Sequence, residues 1–92
     1  MKLSVVILTK NEEKNIEKCL NSVKFVDEII VVDDFSTDKT LEIVHKVLKV
    51  SKVYKVIQRK LNRDFAEQRN FGLSKAKNDW VLFVDADEIV TD

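Results

Sequence analysis

Four short apolar runs, each followed directly by polar residues, constrain the fold of this 92-residue chain more than any other feature. The runs are rich in β-branched or aromatic residues, which is typical of strands, and they cover residues 3–9, 29–32, 53–58 and 80–84. Segments with the apolar spacing of helices separate them, as in residues 16–23. The alternation predicts an α/β fold of the order β-α-β-α-β-α-β, with a parallel sheet and helices on both faces.

The polar clusters that follow the four runs are expected to lie at one edge of the sheet. They are residues 9–12, 33–36, 59–63 and 85–88. The carboxyl ends of parallel strands share an edge, and open α/β sheets bind their ligands there. We predict the strand order 3-2-1-4, because it brings the ends of the first, second and fourth strands together. The order 2-1-3-4 would instead indicate a receiver-like signalling domain that binds Mg²⁺.

Local signals give the expected ends of the helices. The segment Thr9–Glu12 fits a capping box for the first helix, with Asn11 as an alternative cap. The second helix is expected to run from residues 36–38 to about Val50. The third is expected to run from Asp64 to about Lys77, and its predicted buried face consists of Phe65, Ala66, Leu73 and Ala76. The fourth strand reads as buried on both faces, with Trp80 as a packing residue.

Composition excludes several classes of protein. Sixteen basic and sixteen acidic residues cancel, so no basic excess is available for nucleic acid or an anionic membrane surface. A single cysteine excludes an internal disulfide, and the short apolar run at the N-terminus fits neither a signal peptide nor a membrane span. We therefore expect one domain over residues 1–92, in the cytoplasm. Gly72 is the only glycine, so the chain has no glycine-rich phosphate loop. Gly72 itself suggests close packing of a helix on the sheet.

Paired carboxylates are the strongest candidates for chemistry. Asp85 and Asp87 follow the fourth run two residues apart, so both would point to one side of a continuing strand. Hard oxygen ligands of this kind suit Mg²⁺ or Mn²⁺. Asp33 and Asp34 end the second run, where an aspartate can accept hydrogen bonds from a base or a ribose. The loop cations Arg59, Lys60 and Arg63 suit a diphosphate.

Four motifs resemble those of glycosyltransferase family 2, whose inverting members have the GT-A fold. They occur in order along the whole chain as SVVILTKNEE (residues 4–13), IVVDDFSTDKT (30–40), QRNFG (68–72) and VDADE (84–88). The first and last are most similar to the branch that includes lipopolysaccharide-core glucosyltransferases. The resemblance implies a Rossmann-like half of a GT-A domain that binds a nucleotide diphosphate sugar.

The resemblance also implies roles for individual residues. Nucleotide-sugar contacts are implied for Thr9, Asn11, Glu12, Asp33, Asp34, Arg63, Gln68, Asn70 and Asp85. The first three would lie at the nucleotide pocket, and Asp33 or Asp34 would read the uracil or the ribose. Arg63, Gln68 and Asn70 would stand near the diphosphate and the sugar. Asp85 and Asp87 would form the DXD motif, which binds Mg²⁺ or Mn²⁺.

The implied reaction is metal-dependent, inverting transfer from a nucleotide diphosphate sugar, expected to be a UDP-sugar, to a glycan or glycolipid of the cell envelope. Family members are considerably longer, and their catalytic base follows the DXD motif. We therefore expect the base beyond Asp92, no transfer by the 92 residues alone, and self-association through the open edge of the fourth strand. Peripheral association with the inner face of the membrane is an option for a full-length parent.

One alternative enzyme class stays open beside the receiver-like domain. A sugar-phosphate nucleotidyltransferase has a related fold, but it requires a glycine-rich loop with an arginine after the first strand. Here that loop is Lys10-Asn11-Glu12-Glu13.

Overall fold

A computed structural model describes residues 2–49 and 53–90 of the chain. Strands and helices alternate as the sequence predicts. The elements are β1 (Leu3–Thr9), α1 (Ile16–Ser22), β2 (Glu28–Asp33), α2 (Thr40–Leu48), β3 (Val53–Gln58), α3 (Phe65–Lys75) and β4 (Trp80–Asp85). No helix within these described ranges is long and apolar enough to cross a membrane.

The four strands form one parallel sheet in the order β3-β2-β1-β4, which confirms the predicted topology. The register aligns the carboxyl ends of the strands. Thr9 of β1 pairs with Asp33 of β2, which pairs with Gln58 of β3, and Leu8 pairs with Asp85 of β4. The polar clusters therefore meet at one edge, as expected.

The two faces of the sheet carry different helices. On one face, alternate strand residues such as Val5 and Ile29 pack in one core cluster with residues of α1 and α2. On the other face, Val6, Ile30 and Val32 form a smaller cluster with residues of α3. Crossovers of one hand produce this division, because the chain steps from β1 to β3 in one direction and then reverses to reach β4. The prediction of helices on both faces is confirmed.

Gly72 permits the close approach of α3 to the sheet. A Cβ atom at this position would lie 2.5 Å from Val6 Cγ1 and 3.4 Å from Val32 Cγ2. Real Cβ atoms do not approach to the shorter distance, so only glycine fits without a shift of the Val6 side chain. The packing role predicted for Gly72 is confirmed.

The predicted starts of the first two helices are wrong. No capping box forms, because the Thr9 hydroxyl donates to Asp33 and α1 begins only at Ile16. The second helix begins at Thr40, where Asp38 accepts hydrogen bonds from the Thr40 N–H and hydroxyl. Its predicted end at Val50 lies outside the described residues. Long-range partners and an Asx-type bond therefore replace the expected local caps.

Two predictions about burial are also wrong. In α3, Phe65, Ala66 and Leu73 are exposed, and the buried residues are Gln68 and Gly72. In β4, Trp80 is 60% exposed and Phe83 is 40% exposed. Phe83 is exposed because α3 packs over β1 and β2 and leaves β4, which is an edge strand, uncovered on that face. Trp80 lies on the opposite face by strand alternation, at the start of the same edge strand.

Candidate functional site

A cleft of about 420 Å³ opens at the carboxyl edge of the sheet. It lies beside β1, where the strand order reverses between β2 and β4, and open α/β folds bind ligands at this switch point. Residues of the β-strand ends, of the loops after them and of α3 line it, namely Leu8, Thr9, Lys10, Glu12, Val32, Asp34, Leu61, Phe65, Gln68, Asp85, Ala86 and Asp87. The fold thus brings six predicted site residues to one cavity.

Asp33 lies behind the cleft and not in its lining. Its side chain has no exposed surface and accepts hydrogen bonds from three residues on different segments. The donors are the Thr9 hydroxyl (2.6 Å), the Ser36 N–H (2.8 Å) and hydroxyl, and Gln58 Nε2 (3.4 Å). The Asp33 carboxylate therefore joins the ends of three strands and the loop after β2.

Asp34, in contrast, lines the cleft and is partly exposed. Its N–H donates to the Thr9 carbonyl at 2.9 Å, which fixes the backbone at the end of β2. Its Oδ1 accepts from the Leu61 N–H at 3.1 Å. Within residues 2–49 and 53–90, Oδ2 has no protein hydrogen bond. Asp34 therefore keeps an acceptor for a ligand, whereas Asp33 does not.

The loop after β1 is held against the loop after β2. Asn11 Oδ1 accepts from the Thr37 N–H at 2.7 Å and from the Asp38 N–H at 3.3 Å, while the Asn11 N–H donates to Ser36 Oγ at 2.8 Å. Burial acts to raise the pKa of Asp38, but hydrogen bonds from Thr40 and from the Glu13 N–H outweigh it and lower that pKa. Asn11 is exposed and does not line the cleft, so its visible role is to fix the two loops.

Asp85 and Asp87 both line the cleft, although the strand alternation proposed for them does not apply. β4 ends at Asp85, and a turn follows. The turn is closed by Glu88, whose N–H donates to the Asp85 carbonyl at 2.9 Å and whose Oε1 accepts from the Asp85 N–H at 2.6 Å. The turn carries Asp87 back toward the cleft, and Glu88 stays outside the lining.

These two carboxylates match the donor set of a hard divalent cation. In the part of the chain that the structure describes, no three His, Cys, Asp or Glu side chains lie close enough to hold a metal ion by themselves. Mg²⁺ is commonly bound through one or two carboxylates, with substrate phosphates and water completing the shell. Asp85 and Asp87 fit that arrangement, which requires the ligand as well as the protein.

Gln68 forms part of the cleft wall through a buried amide. Its side chain is 1% exposed, and its Nε2 donates to the Arg59 carbonyl at 2.6 Å. Its Oε1 accepts from Arg59 Nη1 at 2.8 Å, and the guanidinium lies 5.1 Å from the centre of the Phe71 ring. Arg63 and Asn70 are exposed and lie outside the lining. The two hydrogen bonds between Arg59 and Gln68 anchor the loop after β3 to α3.

The site is strongly negative. Four carboxylates and one ammonium group, that of Lys10, stand in the cleft lining. Burial raises the pKa of the Cys19 thiol to about 11. Carboxylates near the cleft add to this shift, and they are Glu88, Asp87, Asp85 and Glu12. An anionic ligand would be repelled from this edge unless a cation accompanied it.

The sequence did not single out the apolar wall or Lys10. Apolar side chains also line the cleft, so it is not a purely polar site. They are Leu8, Val32, Leu61 and Phe65. Lys10 follows β1 directly and donates to the Phe35 carbonyl at 3.2 Å. The rule that polar residues after strand ends share one edge could have found Lys10. No local pattern could have found Phe65, because its helix was expected to bury it.

Comparison with known proteins identifies the chain. The family model described as glycosyl transferase family 2 matches residues 4–92. An uncharacterized glycosyltransferase of Rickettsia bellii is 46% identical over 95% of this chain, which covers 28% of that protein. The Staphylococcus aureus enzyme TarS, a poly(ribitol-phosphate) beta-N-acetylglucosaminyltransferase, is 41% identical over 98% of this chain, which covers 17% of TarS.

Solved structures give the same result. TarS 1–349 in complex with UDP superposes with a TM-score of 0.85 at 41% identity, over 97% of this chain and 28% of that chain. The mannosyltransferase PcManGT of Pyrobaculum calidifontis, in complex with GDP-Man and Mn²⁺, superposes with a TM-score of 0.84 at 26% identity, over 96% of this chain and 28% of that one. This chain therefore spans roughly a quarter or less of these relatives, and it belongs to glycosyl transferase family 2.

Proposed function

We propose that this chain binds the nucleoside diphosphate part of a nucleotide sugar, and that it supplies the donor-binding half of an inverting glycosyltransferase. The observation that carries the proposal is the cleft itself. It combines an apolar wall, a free acceptor on Asp34 and the carboxylate pair Asp85 and Asp87 at the switch point of the sheet. Relatives with solved structures bind UDP in TarS and GDP-Man in PcManGT.

The apolar wall and Asp34 suit a nucleobase. Phe65 and Leu61 offer flat or apolar surface, and the free oxygen of Asp34 accepts one N–H group. Uracil presents a single such donor on its pairing edge, which the free oxygen of Asp34 can accept. We favour a UDP-sugar over a GDP-sugar, because the TarS structures with UDP and UDP-GlcNAc are 40–41% identical to this chain, whereas the structure with GDP-Man is 26% identical.

The negative field of the cleft makes donor binding dependent on a divalent cation. Asp85 and Asp87 would hold Mg²⁺ or Mn²⁺ together with the diphosphate. When bound, the cation neutralises charge on the diphosphate and stabilises the departing nucleotide. Lys10, the one cationic side chain in the described lining, contributes further compensation at the same edge. Thr9 and Gln68 keep the walls in place through Asp33 and Arg59.

Inverting transfer also needs a carboxylate that removes the proton from the acceptor hydroxyl. Asp85 and Asp87 are assigned to the cation and Asp34 to the nucleobase, while Glu88 is engaged with the Asp85 backbone outside the cleft. The remaining carboxylate of the lining, Glu12, accepts from Asn15 Nδ2 at 3.0 Å. We therefore assign no base among residues 2–49 and 53–90. The acceptor, proposed as a glycan or glycolipid, and the base belong to the longer protein in this proposal.

Calorimetric titration with UDP, with and without Mg²⁺, tests donor binding. We expect measurable binding only with the cation, and we expect the double variant Asp85→Asn/Asp87→Asn to lose the difference between the two titrations. The control is Asp79→Asn, which makes the same chemical change once, at an exposed position at the amino end of β4, outside the cleft. Equal UDP affinity with and without Mg²⁺, or metal dependence that survives in the double variant, contradicts the proposal.

A further inference from the structure

The loop after β3, residues 59–64, controls the side of the cleft that is proposed to hold the nucleobase. Leu61 lies within this loop and Phe65 follows it as the first residue of α3, and both line the cleft. The Leu61 N–H also engages Asp34 Oδ1 at 3.1 Å, which leaves Oδ2 for a ligand. The position of residues 59–64, the base-wall loop, therefore sets both the apolar wall and the orientation of Asp34.

The backbone of the base-wall loop does not support itself. Asn62 and Arg63 have φ values of 53° and 60°, and both side chains are exposed. Asparagine tolerates this region, but arginine adopts it only where surrounding contacts impose it. Among the described residues, the single backbone hydrogen bond inside the loop runs from the Asp64 N–H to the Leu61 carbonyl, at 3.0 Å. Contacts from outside the loop therefore have to hold it in place.

A pair of hydrogen bonds between Arg59 and Gln68 supplies such a contact. Gln68 Nε2 donates to the Arg59 carbonyl at 2.6 Å, and Arg59 Nη1 donates to Gln68 Oε1 at 2.8 Å. The guanidinium also lies 5.1 Å from the centre of the Phe71 ring. Arg59 is absent from the cleft lining, and Gln68 is only 1% exposed. The Gln68 amide thus faces Arg59 and offers almost no surface to a ligand.

We propose that Arg59 and Gln68 are positioning residues that hold the base-wall loop for the nucleobase, and that neither contacts the donor. This inference rests on the proposed function, and it departs from the diphosphate contacts that the sequence suggested for both residues. The carboxylates assigned to the cation follow β4, which two strands separate from β3. Loss of the Arg59–Gln68 pair should therefore weaken recognition of the base and spare recognition of the diphosphate.

Amide hydrogen exchange, measured by NMR on the ligand-free chain, tests the positioning step. Arg59→Met changes a side chain that is 32% exposed, so the variant should fold. The Leu61 N–H should then exchange at least about tenfold faster, because its loop loses a hydrogen bond from a charged group. The matched control Arg69→Met makes the same change at an exposed arginine beside Gln68, and it should leave the Leu61 rate unchanged.

Calorimetric titrations in Mg²⁺ test the consequence for binding. Arg59→Met should raise the dissociation constant of UDP about three- to tenfold, because only a fraction of the molecules then holds the loop in place. The dissociation constant of inorganic pyrophosphate, which has no base, should stay within about twofold of its original value. Gln68→Met should have the same effects, and the double variant should add little to either single change, since the two residues act as one unit.

Several results would overturn the proposal. Equal losses of UDP and pyrophosphate affinity would make Arg59 a diphosphate contact, and an unchanged Leu61 exchange rate would show that it does not hold the loop. Faster exchange in Arg69→Met, or additive effects in the double variant, would contradict a specific Arg59–Gln68 unit. If the unmodified chain bound no UDP, the proposed function would fail, and Leu61 exchange, which needs no ligand, would still decide whether the pair holds the loop.

Discussion

Replacement of Asp33 or Asp34 by alanine should separate a residue that builds the cleft from one that contacts the ligand. The two aspartates are adjacent and chemically identical, so the sequence could not distinguish them. Asp33 is fully buried and saturated with hydrogen bonds, whereas Asp34 is partly exposed and has a free oxygen. We expect Asp33→Ala to reduce stability and Asp34→Ala to reduce UDP affinity.

The magnitudes follow from the donors that each change leaves without an acceptor. Asp33→Ala deprives the Thr9 hydroxyl and the Ser36 N–H and hydroxyl of their partner; Thr9 is buried, whereas Ser36 is partly exposed. A buried donor without a partner costs about 1–3 kcal/mol and a donor that water can reach costs less, so the sum is about 3–5 kcal/mol. A domain of this size is stable by about 5–14 kcal/mol. Asp34→Ala releases only the Leu61 N–H and should cost about 0.5–1 kcal/mol.

Urea denaturation followed by circular dichroism measures the first effect, and calorimetric titration with UDP and Mg²⁺ measures the second. Asp33→Asn is an informative intermediate, because it keeps the shape and one acceptor but loses the charge, and we expect a loss of about 1–2 kcal/mol. Equal destabilisation by Asp33→Ala and Asp34→Ala would refute the assignment of roles. Undiminished UDP affinity in Asp34→Ala would refute the proposal that Asp34 contacts the nucleobase.

Two further predictions concern the core beneath the site. The unfolding free energy should fall by up to about 3 kcal/mol between pH 9 and 11. The cause is that the Cys19 thiol ionises near pH 9 in the unfolded chain but stays neutral in the folded chain up to its raised pKa of about 11. In urea titrations across this pH range the decline should be smaller for Cys19→Ala, and equal declines in the two proteins would refute the prediction. Gly72→Ala should lower the unfolding free energy by about 1–2 kcal/mol in urea titrations, since the clash with Val6 outweighs the helix preference of alanine. The second change Val6→Ala should reduce that penalty, and a stabilising Gly72→Ala would contradict the packing model.

The topology was predictable because it depends on patterns that repeat along the chain. Apolar runs at intervals, separated by helical spacing, leave few arrangements once the sheet is parallel and its crossovers have one hand. The order β3-β2-β1-β4 then follows from the need to bring Thr9, Asp33 and Asp85 to one place. Chemistry at the strand ends therefore indicated the strand order.

Local caps and helix faces were predicted less well, because partners distant in sequence decided them. Thr9 and Asp33 are 24 residues apart, yet their hydrogen bond removes the threonine from the expected capping box. Gln68 occupies a core position that an apolar residue would ordinarily take. It does so because Arg59 satisfies both ends of its amide. A polar residue can face the core when its partner is supplied by another segment, and periodicity alone does not reveal that partner.

The backbone conformation distinguishes the carboxyl edge of the sheet from the amino edge. Among residues 2–49 and 53–90, four residues other than glycine have positive φ, and all lie in the loops after β1, β2 and β3: Asn11 (52°), Phe35 (50°), Asn62 (53°) and Arg63 (60°). No described residue in the loops at the amino edge has this conformation. Asparagine adopts this conformation readily, but at Phe35 and Arg63 it costs about 1–3 kcal/mol and persists only where surrounding contacts impose it.

Those contacts can be identified in the structure. Lys10 binds the Phe35 carbonyl, and Asp34 binds the Leu61 N–H immediately before the left-handed pair of the third loop. The same two residues line the cleft. The bonds that stabilise the strained loops therefore also set the positions of the side chains assigned to the ligand.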